Sequence, residues 1–162
     1  MTSQAAVWLP IPGHEGSYEV SSDGRVRSLD RIVGAPHGFT RSIKGREMWQ
    51  ATHGKGYKFV HLSPEKRTDY VHRLVALAFL GPLPEGMVVC HNDGDPTNNR
   101  ADNLRYATQS ENEKDKIRHG TSPNAAKTHC PKGHPYDEAN TIRDRRGWRN
   151  CRSCRVSTRS VA

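Results

Sequence analysis

The stretch from Gly86 to Gly120 limits the folds open to this chain more than any other. Met87 to Cys90 is a short apolar run with two valines, bounded by Gly86 and a polar cluster, which is the pattern of a strand. Asn92 to Asp102 is dense in Asn, Asp, Gly and Pro. Such a stretch closes into a compact loop through side-chain to backbone hydrogen bonds. Leu104 to Ala107 reads as a second short strand. Thr108 then caps a helix, with Glu111 three residues later completing a capping box. Lys116, Arg118 and His119 fill its last turn, and Gly120 is the stop. The order is strand, loop, strand, helix.

Two side chains on this frame carry chemistry. His91 ends the first strand, and Asn112 lies in the first turns of the helix. A helix packed across the hairpin can point both into one small pocket. An imidazole there can take a proton from water, because the unperturbed pKa of an imidazole lies near neutrality. An Asn side-chain carbonyl can help hold a hard cation such as Mg2+ or Mn2+. A base facing a bound cation suffices in outline for phosphodiester hydrolysis. The base makes hydroxide, and the metal stabilises charge on the phosphate and the leaving oxygen.

The pattern His91, Asp93-Gly-Asp95, Asn98-Asn99-Arg100, Asp102-Asn103-Leu104-Arg105, Thr108 and Glu111-Asn112 resembles the HNH endonucleases of phages and mobile introns. The resemblance implies the ββα-metal (His-Me finger) fold. It implies His91 as general base, Asn103 as the residue that ties the loop, and Asn112 as ligand of the catalytic cation. One departure stands out. Many members carry an Asp just before the base as a second metal ligand, and this chain has Cys90. Either Asp93 or Asp95 supplies that carboxylate, or the site is weaker or inactive.

The 162 residues are only 33% hydrophobic, which favours small modules over one large core. A net charge of +8 points to an anionic partner, by default nucleic acid. The charge is uneven: beyond His119, nine Lys or Arg face three acids, which gives six of the eight. No apolar run is long enough to span a membrane, and the N-terminus does not read as a signal peptide. A cytoplasmic protein is expected, and in that compartment four cysteines point to metal rather than disulfides.

Around Ser21-Ser-Asp-Gly24, Tyr18 to Val20 and Arg25 to Leu29 alternate by two and read as a hairpin. One face is apolar (Tyr18, Val20, Val26) and the other basic (Arg25, Arg27). With Trp8 and Ile11-Pro-Gly13, the segment resembles the short module that precedes HNH domains, which implies a role on DNA. Plain structural use of the hairpin is the alternative. Asp30 to Gly45 reads as a loop or linker, and Arg46 to Gln50 and Tyr57 to Leu62 as two strands. Asp69 to Gly81 is the clearest helix, capped by Asp69, with Val71, Leu74, Val75, Ala78 and Phe79 on one stripe. His72 lies beside that stripe. The family pattern puts it at the site or on a phosphate, and a core or surface histidine is the alternative.

After a linker, Cys130-x3-His134-x16-Cys151-x2-Cys154 has the ligand set of a closed tetrahedral Zn2+ site. With four protein ligands, that zinc would be structural. Few apolar residues surround it, so folding there would depend on the metal. It resembles the zinc-binding tail of some phage HNH proteins. The arginines around it, Arg145, Arg146, Arg149 and Arg152, would then lie on a DNA backbone, as would Arg100 and Arg105.

The expected architecture is therefore α+β and modular: residues 1–45 a β-rich DNA-binding module with its linker, 46–120 the nuclease, and 121–162 the zinc module. The expected function is metal-dependent hydrolysis of double-stranded DNA. A monomer would nick, and a homodimer or two sequential events would break both strands. The alternatives are a non-catalytic DNA-binding protein on a degenerate HNH scaffold, and a zinc-dependent adaptor for protein or RNA.

Overall fold

Apolar residues are sparse, so short strands must share one core to be stable. A computed structural model describes residues 5–63, 68–145 and 147–157. They fall into two compact units, Met1–Asp115 and Lys116–Ala162, the boundary lying within a helix.

The first unit opens with a three-stranded antiparallel sheet of β1 (Trp8–Pro10), β2 (Tyr18–Ser21) and β3 (Val26–Ser28). Val20 pairs with Val26, and both are fully buried. Arg31 to Ile43 forms a two-stranded ribbon, β4 (Arg31–Gly34) and β5 (Thr40–Ile43), where the sequence reading expected a linker. The Gly34-Ala-Pro36-His-Gly38 stretch that looked like linker composition is the turn of that hairpin, with His37 and Gly38 both at positive φ.

A second three-stranded sheet joins β6 (Ala51–Thr52), β7 (Lys58–His61) and β8 (Thr68–Tyr70). The strand expected over Arg46 to Gln50 lies elsewhere. Arg46 and Ser28 exchange backbone hydrogen bonds of 3.1 and 2.9 Å, so that segment runs beside β3, and β7 pairs instead with β6. Helix α1 (Val71–Leu80) starts later than expected. Asp69 is not its cap: it pairs with Val60 inside β8, and the cap position falls on Tyr70, without a side-chain cap bond.

α1 buries Val71, His72, Leu74, Val75 and Ala76, while Ala78 and Phe79 are only partly covered. That face shares one core with Ile11, Tyr18, Val20 and Val26 of the N-terminal sheet, with Val60 and Leu62, and with Leu104. The N-terminal hairpin is thus part of the wall of the same core. β9 (Met87–His91) and β10 (Leu104–Thr108) form an antiparallel hairpin, with Cys90 opposite Arg105 and His91 opposite Leu104. The Tyr106 hydroxyl donates to the Gly81 carbonyl at 2.6 Å, tying β10 to the end of α1. Helix α2 (Gln109–Arg118) follows, and its capping box is fully made: Thr108 N–H and Oγ1 reach Glu111 Oε2 at 2.8 and 2.9 Å, and Glu111 N–H reaches Thr108 Oγ1 at 3.3 Å.

The second unit contains the end of α2, a hairpin of β11 (Thr141–Arg143) and β12 (Arg149–Cys151), and the short helix α3 (Arg152–Ser157). No helix among the described residues is long and apolar enough to cross a membrane.

Leu62 is 1% exposed in the shared core. Leu62→Ala should cost about 2–5 kcal/mol. Urea unfolding followed by circular dichroism should show one earlier transition for the first unit, because the hairpin and α1 depend on the same packing.

Candidate active site and cysteine-histidine cluster

The loop from Asn92 to Asp102 is held by its own polar side chains. Asn103 is the hub. Its Nδ2 donates to Asp93 Oδ1 at 2.9 Å and to the Asn98 carbonyl at 2.8 Å, and its Oδ1 accepts from Asp93 N–H at 3.2 Å. Its backbone carbonyl accepts from Asn92 N–H at 2.8 Å. Asp93 also accepts from Asp95 N–H and Asn98 Nδ2, and Asp95 accepts from Thr97 N–H and Oγ1. Burial pushes the Asp93 carboxyl up, but the donors from Asn103, Asp95 and Asn98 outweigh it and hold it below the usual range. The two Thr97 donors do the same for Asp95.

His91 ends β9 beside this loop, half-buried. Its Nε2 lies 3.0 Å from Asn99 Oδ1. The His72 ring stands 5.4 Å away and the Tyr57 ring 6.2 Å, centre to centre. His72 is 6% exposed, with its Nδ1 enclosed and unpartnered. Burial, then the charges of His91 and Arg73, push its pKa down to about 3. His72 therefore stays neutral beside His91, buried rather than on the surface. Sequence reasoning gave no individual role to Asn99, which is 4% exposed, or to Tyr57. The Asn98-Asn99 doublet was visible, but only the fold shows which of the two meets the histidine.

Asn112 is half-buried on α2, three residues before Asp115. Asp115 is buried and ion-paired to Arg105 of β10, which fixes the helix face turned to the hairpin. The i, i+3 spacing puts Asn112 on that face. Cys90, 3% exposed, pairs with Arg105 across the strands.

The arginines expected on DNA have varied surroundings. Arg25 pairs with Asp23 and Glu47, and Arg27 with Glu19, while both guanidiniums stack on Trp8 at 5.3 and 4.2 Å. Arg100 forks onto Asp102. Arg149 stacks on Tyr136 at 4.0 Å and donates to the carbonyls of Asn124 and Lys127. Arg145 and Arg152 are exposed, and Arg146 lies outside the described residues.

In the second unit the Cys130, His134, Cys151 and Cys154 ligand atoms all lie within 4.8 Å of one another. His134 Nδ1 is 3.5, 3.6 and 3.4 Å from the three sulfurs, and Cys130 Sγ is 3.7 Å from Cys154 Sγ. Tetrahedral ligands at about 2.0–2.3 Å from one ion stand roughly 3.4–3.8 Å apart. The donor set and spacing therefore fit a dication. Asn140, which sequence reasoning missed, donates to Cys151 Sγ at 3.3 Å and accepts from Ser153 N–H at 3.0 Å, bracing the Cys-x-x-Cys half.

Residues 69–114 match the family model described as HNH endonuclease, and residues 7–63 match the NUMOD4 motif. The chain belongs to the HNH endonuclease family. DNA endonuclease I-HmuI of Bacillus phage SP01 is 34% identical over 116 residues, which cover 70% of this HNH chain and 59% of that protein. The uncharacterized HNH endonuclease L247 of Acanthamoeba polyphaga mimivirus is 35% identical over 121 residues, 69% of this chain and 26% of that one. A solved structure, "DNA binding and cleavage by the HNH homing endonuclease I-HmuI", is similar with a TM-score of 0.57 at 34% identity, covering 72% of this chain and 60% of that chain. The chain thus spans about three fifths of the length of that phage relative. The α+β architecture with an HNH ββα core is the one the sequence led us to expect.

Depressed carboxylates contribute stability above their unfolded pKa, near 4, and lose it as pH falls through the lower folded value. The loop should therefore hold from neutral pH down to about pH 4 and loosen below it. Asn103→Ala should cost about 1–3 kcal/mol and raise the acid midpoint. Thermal melts across a pH series, wild type against variant, measure both.

Proposed function

We propose that this chain is a divalent-metal-dependent endonuclease acting on double-stranded DNA, with His91 as general base. The observation that carries this reading is the setting of His91. It ends a hairpin strand, has Nε2 engaged by a buried amide oxygen, and packs against a neutral imidazole. A water oxygen would bond to phosphorus as His91 takes its proton. The bond from phosphorus to the 3′ oxygen would break, leaving 5′-phosphate and 3′-hydroxyl ends, with the 3′ oxygen protonated from solvent. A bound Mg2+ or Mn2+ would supply charge stabilisation on the phosphate and the leaving oxygen. Asn112 would hold it. Of the two loop carboxylates, Asp95 suits the companion role better, since both of its loop hydrogen bonds fall on Oδ1. Asn103 keeps the loop that aims His91 in shape.

Arg145, Arg149 and Arg152 would serve phosphates, so binding should weaken steeply with salt. With one site per chain, a monomer would nick. We read the cysteine-histidine cluster as structural Zn2+, because four protein donors close the coordination shell.

A second reading rests on Cys90. A thiol stands where many members have a carboxylate, which fits a DNA-binding protein on a degenerate scaffold. A supercoiled-plasmid assay separates the two. With Mg2+ or Mn2+, nicking is expected from wild type and lost with EDTA. His91→Ala should lower it by at least about 100-fold, a general base being worth 10²–10⁴. Salt-sensitive binding without nicking, with nicking appearing in Cys90→Asp, would favour the degenerate scaffold.

For the cluster, elemental analysis should find one zinc per chain in wild type and in His91→Ala. Cys151→Ser should lose it, and amide exchange over residues 130–155 should then accelerate while Met87–Thr108 stays protected.

A further inference from the structure

We infer that Asn99 is the positioning residue of the base, and that the N-terminal module holds Asn99 in place through the turn at Gly24. This rests on the reading of His91 as the base.

The amide oxygen of Asn99 faces His91 Nε2 at 3.0 Å. A carbonyl oxygen can only accept, so Nε2 must carry the ring proton. The neutral ring then keeps its lone pair on Nδ1. One contact therefore selects the tautomer, restricts ring rotation and names the nitrogen that receives the proton of water. Asn99 is itself 4% exposed, and its Nδ2 is enclosed without a partner. Something must hold the amide in that orientation.

The wall comes from a distant part of the sequence. Gly24 has φ +86, in the turn between β2 and β3. A Cβ built there would stand 2.9 Å from Asn99 Cβ, closer than real Cβ atoms approach, and a tight 3.1 Å from the Asn99 carbonyl oxygen. The same turn is tied to the loop on the other side of Asn99, where Ala101 N–H donates to the Ser22 carbonyl at 2.9 Å. Gln50 Nε2 donates to the Gly24 carbonyl at 2.8 Å and braces the turn from behind. A second turn closes on the loop at Gly56, φ +88, where a Cβ would meet Pro96 Cγ at 3.0 Å. The NUMOD4 region thus forms one wall of the loop that orients the base, beyond any part it plays on DNA.

The test uses the full chain. Nicking of supercoiled plasmid is measured under single-turnover conditions, and DNA affinity separately, for wild type, Asn99→Ala, Asn99→Asp, Gly24→Ala and His91→Ala. Histidine nitrogen NMR reports the tautomer, His91→Ala identifying the resonances. In wild type, His91 should be protonated at Nε2 and bare at Nδ1. Asn99→Ala should lower the nicking rate by about 10–100-fold with affinity unchanged, and its spectrum should show mixed tautomers. Asn99→Asp, which keeps an acceptor oxygen, should recover the single tautomer and most of the rate. Gly24→Ala should move in the direction of Asn99→Ala, and if it does not fold, the Asn99 pair decides. Loss of nicking in His91→Ala with an unchanged rate and tautomer in Asn99→Ala overturns this inference alone. Nicking that survives His91→Ala overturns the reading beneath it. In a wild type that does not nick, an Nδ1-protonated His91 overturns the inference, and an Nε2-protonated one that mixes in Asn99→Ala supports it.

Discussion

One amide, that of Asn103, decides whether the centre of this protein has a shape. The loop it closes runs from Asn92 to Asp102 without regular ladder bonds and with little apolar surface. Backbone entropy works against such a segment at every residue. Asn103 answers with three side-chain bonds to two parts of the loop, and Asp93 and Asp95 complete the net. The carboxylates here serve structure, as acceptors for the loop's own donors. That explains how a site built on charge can be ordered in a chain that is one-third hydrophobic.

The same economy governs the first unit. Among the described residues none of its sheets exceeds three strands, and each would be marginal alone. They become stable because α1 collects them: its buried face touches the N-terminal sheet, β7 and β10 in one cluster. Charge is arranged with similar thrift. Arg25, Arg27, Arg100 and Arg105 each face a carboxylate, so they hold local geometry. Arg145 and Arg152, in the other unit, are exposed.

Much of this was legible from residue order alone. The capping box at Thr108 and Glu111, the β9–β10 hairpin and the cysteine-histidine spacing are local patterns, and local patterns survive folding. The misses share a cause. Asp69 looked like a helix cap, but a strand pairing claimed it first. Asp30 to Gly45 looked like a linker because its turn residues outnumber its apolar ones, yet Arg31–Gly34 and Thr40–Ile43 pair across that turn. Arg46 to Gln50, read as a strand paired with the next one, lies along β3 instead. Asn99 and Tyr57 were out of reach for a related reason: their importance lies in what stands next to them, and only the folded chain brings Gly24 to Asn99 and the two histidines to Tyr57.

The close approach at Gly24 has a consequence for how proteins of this kind can recombine. An N-terminal segment whose turn touches only solvent can be exchanged as a cassette. Here the turn abuts Asn99 with no room for even a methyl group. A graft from another protein would have to bring a glycine to that position, in the left-handed conformation, together with a carbonyl aligned for Ala101 N–H. The junction between the two segments therefore fits only as a matched pair, and shuffling that ignores it should disturb the loop that carries Asn99.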